Sequence, residues 1–157
     1  ISNMLINNNI LDNIALVDIG YNFTRIDFFK DGLYDVTRIL ENGIKDMNKM
    51  ASDAFYCDSH ISLRDLKDNK DNILDSELFN NYYDDLTLKI NRAINYYSYS
   101  NQSNTLNNIY LYGGGIRFDE LHNTLKKDLN ITCMDLNELL EVNTDTFVAM
   151  GVIEDVK

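Results

Sequence analysis

The sequence predicts a mixed α/β domain, with a five-stranded sheet in the order 3-2-1-4-5 and flanking helices. The chain opens with three short apolar segments joined by tight turns, which predicts an antiparallel meander. Helices follow, and after them come strand–helix pairs of the kind that add parallel strands to a sheet. The 157 residues suit one domain, and 45% hydrophobic residues are enough for a buried core.

The three opening strands are predicted from apolar patterning and turn signals. Residues 14–19 form a nearly continuous apolar run ended by a glycine, which is typical of a buried central strand. Residues 24–29 form the second strand, and Asp31 with Gly32 gives a strong hairpin signal. Residues 33–39 complete the meander.

Three helices are predicted in the middle of the chain. Apolar residues at helical spacing indicate a helix from Ile44 to Phe55. A second, shorter helix is expected to begin at Ser62, whose hydroxyl would cap it with Asp65 three residues later. The longest helix has an apolar stripe from Leu78 to Tyr97, which we interpret as core packing.

The last third alternates strands and helices. After a loop over 98–108, residues 109–112 form a short buried strand that runs directly into three glycines. A helix with apolar residues from Phe118 to Leu129 follows, and then a strand over 131–134. A last helix is expected to be capped at 144–145.

The charge and the cysteines exclude several classes of function. The chain has 25 acidic and 14 basic residues, a net charge of −11, whereas nucleic-acid and anionic-membrane surfaces need clustered Lys and Arg. No apolar run is long enough for direct membrane insertion. Cys57 and Cys133 are too far apart to indicate a zinc site or a disulfide framework. His60 and His122 are interpreted as solvated surface residues.

The first candidate site is the segment from Asp18 to Thr24, at the end of the first strand. Gly20 would let a phosphate approach the backbone amides, and the Thr24 hydroxyl is a donor. Asp18 is suited to holding magnesium through water. The alternative is that these residues form an ordinary hairpin corner.

The second candidate site is the glycine triplet 113–115 between a strand and a helix. It would let a base or a phosphate approach the backbone at a positively polarised helix N-terminus. A plain turn is the alternative. In a sheet ordered 3-2-1-4-5, the strands ending at Asp18 and Tyr112 are neighbours, so both loops would open on one cleft.

At these two segments the sequence resembles the second half of the actin-like ATPase (ribonuclease H-like) fold, whose phosphate 2 and adenosine motifs they match. Within that superfamily it is similar to the PilM-type proteins of type IV pilus assembly. The resemblance runs in order over residues 14–155. It is carried by the segments ALVDIGYNFTRIDFFKDGLYDVTRILENGIKDM, SLRDLK, YYDDLTLKINRAINYY, NNIYLYGGGIRFDELHNTLKKDLNI and TDTFVAMGVIED.

This resemblance implies an ATP site with magnesium bound at Asp18 through water. The residues it assigns to the phosphates and magnesium are Asp18, Gly20, Asn22 and Thr24. Those it assigns to the adenosine are Gly113, Gly114, Gly115 and Arg117, with Lys67 beside the base or ribose. Tyr21 is bulkier than the small residue common at its position and is expected to narrow the phosphate pocket.

The resemblance also implies an organisation and a set of partners. Residues 1–157 would be one actin-like domain, the second half of the two-domain fold. Its sheet-bearing subdomain would comprise 10–41 and 105–157, with a mostly helical insert over 42–104. The first residue is Ile, which suggests a fragment, and the phosphate 1 motif would lie in the other half. The fragment alone is therefore not expected to be an ATPase.

The intact protein is expected at the cytoplasmic side of the inner membrane. It would be held there by a PilN-like membrane protein that docks on the other half, and it would contact other pilus assembly proteins or associate with itself. The alternatives are a filament-forming or membrane-tethering protein similar to the division protein FtsA, and a metabolic kinase or reductive-enzyme activator of the same superfamily. The remaining alternative is a globular α/β domain in which the glycine loops only form turns.

Overall fold

The computed structural model describes residues 13–102 and 105–136. Its strands form a five-stranded sheet in the order β3-β2-β1-β4-β5, which confirms the predicted order. The strands are β1 (Ile14–Ile19), β2 (Thr24–Lys30), β3 (Leu33–Leu40), β4 (Asn108–Tyr112) and β5 (Cys133–Asp135).

Strand β1 lies at the centre of the sheet, antiparallel to β2 and parallel to β4. Asp18 pairs with Arg25 of β2 on one side and with Tyr112 of β4 on the other. The carboxyl ends of β1 and β4 therefore meet at one edge of the sheet, as the two-loop hypothesis requires. Ligands of open α/β sheets bind at such an edge.

Both faces of the central strand are buried. Ala15 and Val17 belong to the main core beneath the helices, whereas Ile14 and Leu16 lie on the opposite face and are also fully buried. Side chains of a strand alternate between the two faces. The continuous apolar run from which β1 was predicted follows from this double burial.

Four α-helices accompany the sheet in the described part of the chain. They are α1 (Ile44–Phe55), α2 (Ser59–Lys67), α3 (Glu77–Ser100) and α4 (Asp119–Asp128). Short 3₁₀ turns occupy Lys70–Asp75 and Gly114–Arg117. Helix α3 continues three residues into the segment predicted as a loop, and the predicted helix at 144–145 lies outside the described residues. Within 13–102 and 105–136, no helix has both the length and the apolar character needed to span a membrane.

The predicted start of α2 at Ser62 is wrong, because the helix begins at Ser59 after Asp58. Ser62 is buried one turn into the helix, where its hydroxyl donates to Asn48 Oδ1 of α1 at 2.5 Å. A serine hydroxyl suits an N-cap and an interhelical hydrogen bond equally well. The sequence pattern alone does not separate these two uses.

His122 is not the solvated surface residue that was predicted. Its side chain is 16% exposed, and its Nε2 lies 2.6 Å from Asp135 Oδ1, while Lys126 Nζ is 3.2 Å from the same oxygen. These contacts attach helix α4 to the sheet at β5. The histidine and the carboxylate are 13 residues apart, and only the packing of α4 on β5 brings them together.

The Asp135 carboxylate is expected to stabilise the fold above its own pKa. Burial raises the pKa of Asp135, but the hydrogen bonds and charges of His122 and Lys126 outweigh that effect and hold it below its ordinary value of 3.8. A lowered pKa in the folded state adds stability above the ordinary pKa, and this stability is lost as the pH falls through the lowered one. Asp135→Asn should therefore reduce the free energy of unfolding by about 1–2 kcal/mol at pH 7, and the difference should vanish in strong acid.

Urea unfolding of both proteins from pH 7 to pH 2 measures this difference. Asp128→Asn is the control, because Asp128 is an exposed carboxylate at the end of α4, the helix that carries His122 and Lys126. An Asp135→Asn deficit that stays constant down to pH 2 would contradict the electrostatic explanation.

Candidate functional site

The loop between β1 and β2, residues 20–23, is held against the N-terminus of α1. The amides of Ile44 and Lys45 donate to the carbonyls of Gly20 and Tyr21 at 3.1 and 2.9 Å. A trans peptide is planar, with its N–H and C=O pointing in opposite directions. Because these two carbonyls point at α1, the amides of Tyr21 and Asn22 point away from it, in a loop whose residues 21–23 are exposed.

At Gly43 the backbone before α1 packs directly against the backbone of loop 20–23. A Cβ on Gly43 would lie against the Tyr21 carbonyl oxygen and 2.7 Å from Asn22 C and Phe23 N, distances that real Cβ atoms essentially never show. The Gly43 carbonyl accepts a hydrogen bond from the Tyr82 hydroxyl at 2.9 Å. The loop, the start of α1 and helix α3 thus meet at one glycine.

Gly20 and Thr24 shape the loop from within. The Gly20 amide donates to the Phe23 carbonyl at 3.1 Å, and a Cβ on Gly20 would lie 2.9 Å from that oxygen. Thr24 is fully buried, and its hydroxyl donates to the Asn42 carbonyl at 2.9 Å. A hydroxyl has one hydrogen to donate, so in this arrangement Thr24 orders the loop instead of presenting a donor to a phosphate.

The three glycines of the triplet differ in their surroundings: two pack closely against β1 and one faces open space. Gly113 has φ +93°, and a Cβ there would meet Asp18 Oδ1 and lie 3.0 Å from the Ile19 carbonyl. A Cβ on Gly115 would lie 2.7 Å from Ile19 Cβ, whereas Gly114 has no atom within 4 Å of its Cβ position. Two of the three glycines are thus required by close packing on β1, and only Gly114 faces open space.

The helix N-terminus predicted at the triplet is displaced along the chain. Residues 114–117 form a 3₁₀ turn, and α4 begins at Asp119 with Asp119 and Glu120 in its first turn. The polarised end of the helix therefore lies beside its own carboxylates and not at the glycines.

A pocket of about 340 Å³ opens between the two loops and the helices. It brings together Lys67, Gly114 and Arg117, three residues assigned to the nucleotide from sequence. The full lining is Tyr21, Ile44, Leu63, Lys67, Gly114, Arg117 and Phe118. The walls are largely apolar or aromatic, with two cationic side chains. This composition suits a ligand with a flat ring and a negative charge.

Tyr21 lines the pocket directly, and its hydroxyl accepts a hydrogen bond from Asn48 Nδ2 at 3.3 Å. Asp18, Gly20 and Asn22 are not in the pocket wall. They lie at the end of β1 and in the loop after it.

Asp18 has a charged neighbour, Arg25, to which no role was assigned from sequence. Arg25 Nη2 lies 3.7 Å from Asp18 Oδ2, and the same nitrogen donates to the Tyr112 hydroxyl at 3.0 Å. Arg25 Nε lies 3.1 Å from Asp27 Oδ2. The tight turn at Gly20 sets the antiparallel register that places residue 25 opposite residue 18, so the signal was present in the sequence.

Burial and charge determine how these groups titrate. Burial raises the pKa of the Asp18 carboxyl above its ordinary value, the Arg25 charge acts in the opposite direction, and Asp27 raises it further. Burial raises the pKa of the Tyr112 phenol to about 12, with a further contribution from Asp18. Tyr112 is therefore a neutral phenol at physiological pH.

The actin-like fold implies magnesium together with ATP, and the resemblance assigns that ion to Asp18 through water. Among the residues that the structure describes, no three His, Cys, Asp or Glu side chains group together as metal ligands. One Asp18 oxygen faces Arg25, and the other lies where a Cβ on Gly113 would be. A hydrated ion held by Asp18 would therefore share the carboxylate with the Arg25 guanidinium.

Comparison with known proteins identifies the family. A family model described as type IV pilus assembly protein PilM matches residues 1–154. No curated protein sequence matches the chain.

Three solved structures illustrate the fold. A PilM-PilN type IV pilus biogenesis complex is similar with a TM-score of 0.72 and 19% identity, over 90% of this chain and 45% of that one. The ethanolamine utilization protein EutJ from Carboxydothermus hydrogenoformans gives 0.67 and 15%, over 85% and 47%. Ta0583, an archaeal actin homolog, gives 0.61 and 15%, over 85% and 47%.

The chain thus spans just under half the length of these structures. At these identities the similarity shows the fold alone, and that fold is the actin-like ATPase fold predicted from the two glycine segments. The family rests on the match to the family model, which covers nearly the whole chain. The chain belongs to the PilM family of type IV pilus assembly proteins.

Proposed function

We propose that this chain forms one side of a nucleotide-binding cleft in a scaffold protein of type IV pilus assembly. The pocket of about 340 Å³ carries the proposal, because it joins Lys67, Gly114 and Arg117, which lie in two separate segments and were assigned to one ligand from sequence. Lys67 ends α2, Gly114 and Arg117 follow β4, and Tyr21 follows β1. Residues so far apart in sequence line one pocket because the sheet order places β1 beside β4.

In this proposal the base and ribose of ATP occupy the pocket. The apolar walls contact the ring, and Lys67 and Arg117 supply positive charge. The triphosphate extends toward the loop 20–23, where the amides of Tyr21 and Asn22 point away from α1. Asp18, Gly20 and Thr24 keep their place in the site: Gly20 and Thr24 shape the loop, and Asp18 lies at its base.

The chain alone is not proposed to be an enzyme. Phosphoryl transfer depends on positioning and charge stabilisation around the whole phosphate. This chain provides groups from one side only, and relatives with the same fold are about twice as long. The nucleotide would set the angle between the two halves of the cleft, which is a hinge-type switch.

The partners follow from the family. The solved structure of a PilM protein in complex with PilN supports a PilN-like membrane protein as the partner of the intact protein. The docking surface is assigned to the other half, and this contact would hold the protein at the cytoplasmic side of the inner membrane. Within this chain we assign 10–41 and 105–157 to a sheet-bearing subdomain and 42–104 to a helical insert.

An amide NMR titration of the chain with ATP tests nucleotide binding. Signals of residues 20–23 and 113–117 should shift, and Lys67→Ala should weaken binding about tenfold, the loss expected for one charge-assisted contact. Lys30→Ala is the control, because Lys30 lies at the opposite end of β2. A wild-type spectrum that does not change at millimolar ATP would refute the proposal.

A further inference from the structure

Strand β3 forms the outer edge of the sheet, on the side away from β5. In the part of the chain that the structure describes, β3 pairs only with β2. The backbone N–H and C=O groups on its other side are therefore open to a strand of another chain. Proteins that keep such an edge unpaired use short strands or place Lys or Pro there. With eight residues β3 is the longest of the five strands, and it contains neither residue.

Exposed apolar side chains flank this edge. Leu33, Tyr34 and Ile39 are 62%, 54% and 62% exposed. On the helical side the guanidinium carbon of Arg38 lies 5.5 Å from the centre of the Tyr96 ring of α3, which is 61% exposed. Tyrosine, arginine and apolar residues gathered around an unpaired strand are typical of a protein–protein interface.

A β-bulge sets the order of side chains along β3. Between two successive residues of β2 the pairing moves from Val36 to Tyr34, so Asp35 is an extra residue. When Asp35 and Val36 are counted as one position, residues 33–40 occupy seven positions and Thr37 is the middle one. Positions at equal distances from Thr37 then lie on the same face of the sheet, because side chains alternate along a strand.

The strand is self-complementary about its middle position. A second copy running antiparallel would set apolar residues opposite apolar ones and a negative charge opposite a positive one; the pairs are Leu33–Leu40, Tyr34–Ile39 and Asp35–Arg38. Both charged members lie on the side of α3, because Asp35 accepts the Tyr97 hydroxyl and Arg38 lies on the Tyr96 ring. Apolar pairs and opposite charges directly across two strands stabilise their pairing, and like charges there oppose it.

We propose that two copies of this chain associate through β3 about a two-fold axis at Thr37, which joins their two five-stranded sheets into one continuous sheet. Such an interface uses the same surface on both copies. Each copy carries a net charge of −11, which opposes association at a distance, so we expect a weak dimer held by the local pairs. The inference goes beyond the proposed function and does not depend on nucleotide binding.

Sedimentation velocity of the chain from micromolar to millimolar concentration tests the association. A monomer–dimer equilibrium is expected. Ile39→Lys should raise its dissociation constant about tenfold, because two Tyr34–Ile39 pairs are lost in each dimer. Leu88→Lys is the control, because Leu88 is an exposed apolar residue of α3 about two turns before Tyr96.

Charge reversal gives a sharper readout. Asp35→Arg and Arg38→Asp each set like charges opposite each other, so each variant should be monomeric at concentrations where the wild type is a dimer. An equimolar mixture of the two restores opposite charges at both positions and should form a one-to-one dimer. Circular dichroism verifies that both variants are folded, since Asp35 also accepts the Tyr97 hydroxyl.

Cysteine cross-linking locates the two-fold axis. Thr37→Cys places two thiols at directly opposed positions, whose Cα atoms are about 4.5–5.5 Å apart in an antiparallel pair, and a disulfide spans that distance. Oxidised glutathione should therefore convert this variant to a covalent dimer. Tyr34→Cys is the control, because four positions, or about 13 Å, would separate residue 34 from its counterpart. Cys57 and Cys133 are present in both variants and contribute equally.

Three outcomes would overturn the inference. A wild-type chain that stays monomeric at millimolar concentration would exclude the pairing and leave this edge to an extended segment of another protein. A dimer that neither Ile39→Lys nor the charge reversals weaken would place the association on a different surface. Cross-linking at residue 34 as efficient as at residue 37 would contradict the two-fold axis at Thr37.

Discussion

Gly43→Ala is expected to destabilise the chain by about 3 kcal/mol, the upper part of the range for overpacked sites. The added Cβ would lie against the Tyr21 carbonyl oxygen and 2.7 Å from backbone atoms of Asn22 and Phe23. Backbone atoms cannot rotate away as a side-chain end can, so the loop or helix α1 has to shift. Urea unfolding measures the loss, and amide shifts of 20–23 locate it.

Gly114→Ala is the matched control. No heavy atom lies within 4 Å of the Cβ position of Gly114, and its backbone φ is outside the left-handed region. Its free energy of unfolding should change by less than about 0.5 kcal/mol. If both alanine variants are equally stable, the loop is not clamped at Gly43 as described.

Tyr97→Ala should be the most destabilising truncation of helix α3, at about 3–5 kcal/mol. Tyr97 is 2% exposed and stacks on Phe28 of β2 with ring centroids 4.1 Å apart. Its hydroxyl also donates to Asp35 Oδ2 of β3 at 2.6 Å. One side chain thus joins the helix to two strands, and its removal leaves a cavity between them.

Two substitutions separate these contributions. Tyr97→Phe keeps the stacked ring and should cost only about 1 kcal/mol, the usual net value of a hydrogen bond. Tyr99→Ala removes a ring that is 80% exposed, and unfolding should be unchanged within about 0.5 kcal/mol. Alanine has a higher helix propensity than tyrosine, so a loss at Tyr99 comparable to that at Tyr97 would contradict the assignment of this stability to the buried face of α3.

The strand order could be predicted because each strand carries its own local signal. The apolar run of β1 and the Asp31-Gly32 turn define the meander, and the strand before the glycines joins β1 in parallel because a helical segment intervenes. The first and last residues of the helices were harder to predict from sequence. Ser62 has the chemistry of a helix cap, yet the competing hydrogen bond to Asn48 depends on how α1 and α2 pack.

For the candidate site, the sequence pattern marks the two glycine segments but does not show why each glycine is needed. A glycine can mark a place where a side chain would not fit. The sequence does not tell whether a ligand or a neighbouring strand occupies that space. At Gly113 and Gly115 the neighbour is β1, and at Gly114 it is open space. The contact of Arg25 with Asp18 depends on strand register, which the hairpin turn implies but which single-residue patterns do not display.

The attachment of loop 20–23 to helix α1 has a mechanical consequence. Two backbone hydrogen bonds and the close contact at Gly43 connect loop 20–23 tightly to helix α1. The Tyr82 hydroxyl joins α3 to the same glycine. Loop 20–23 therefore cannot shift without disturbing its contacts with α1. A displacement of the loop would move the start of α1 and the Tyr82 contact of α3 together with it.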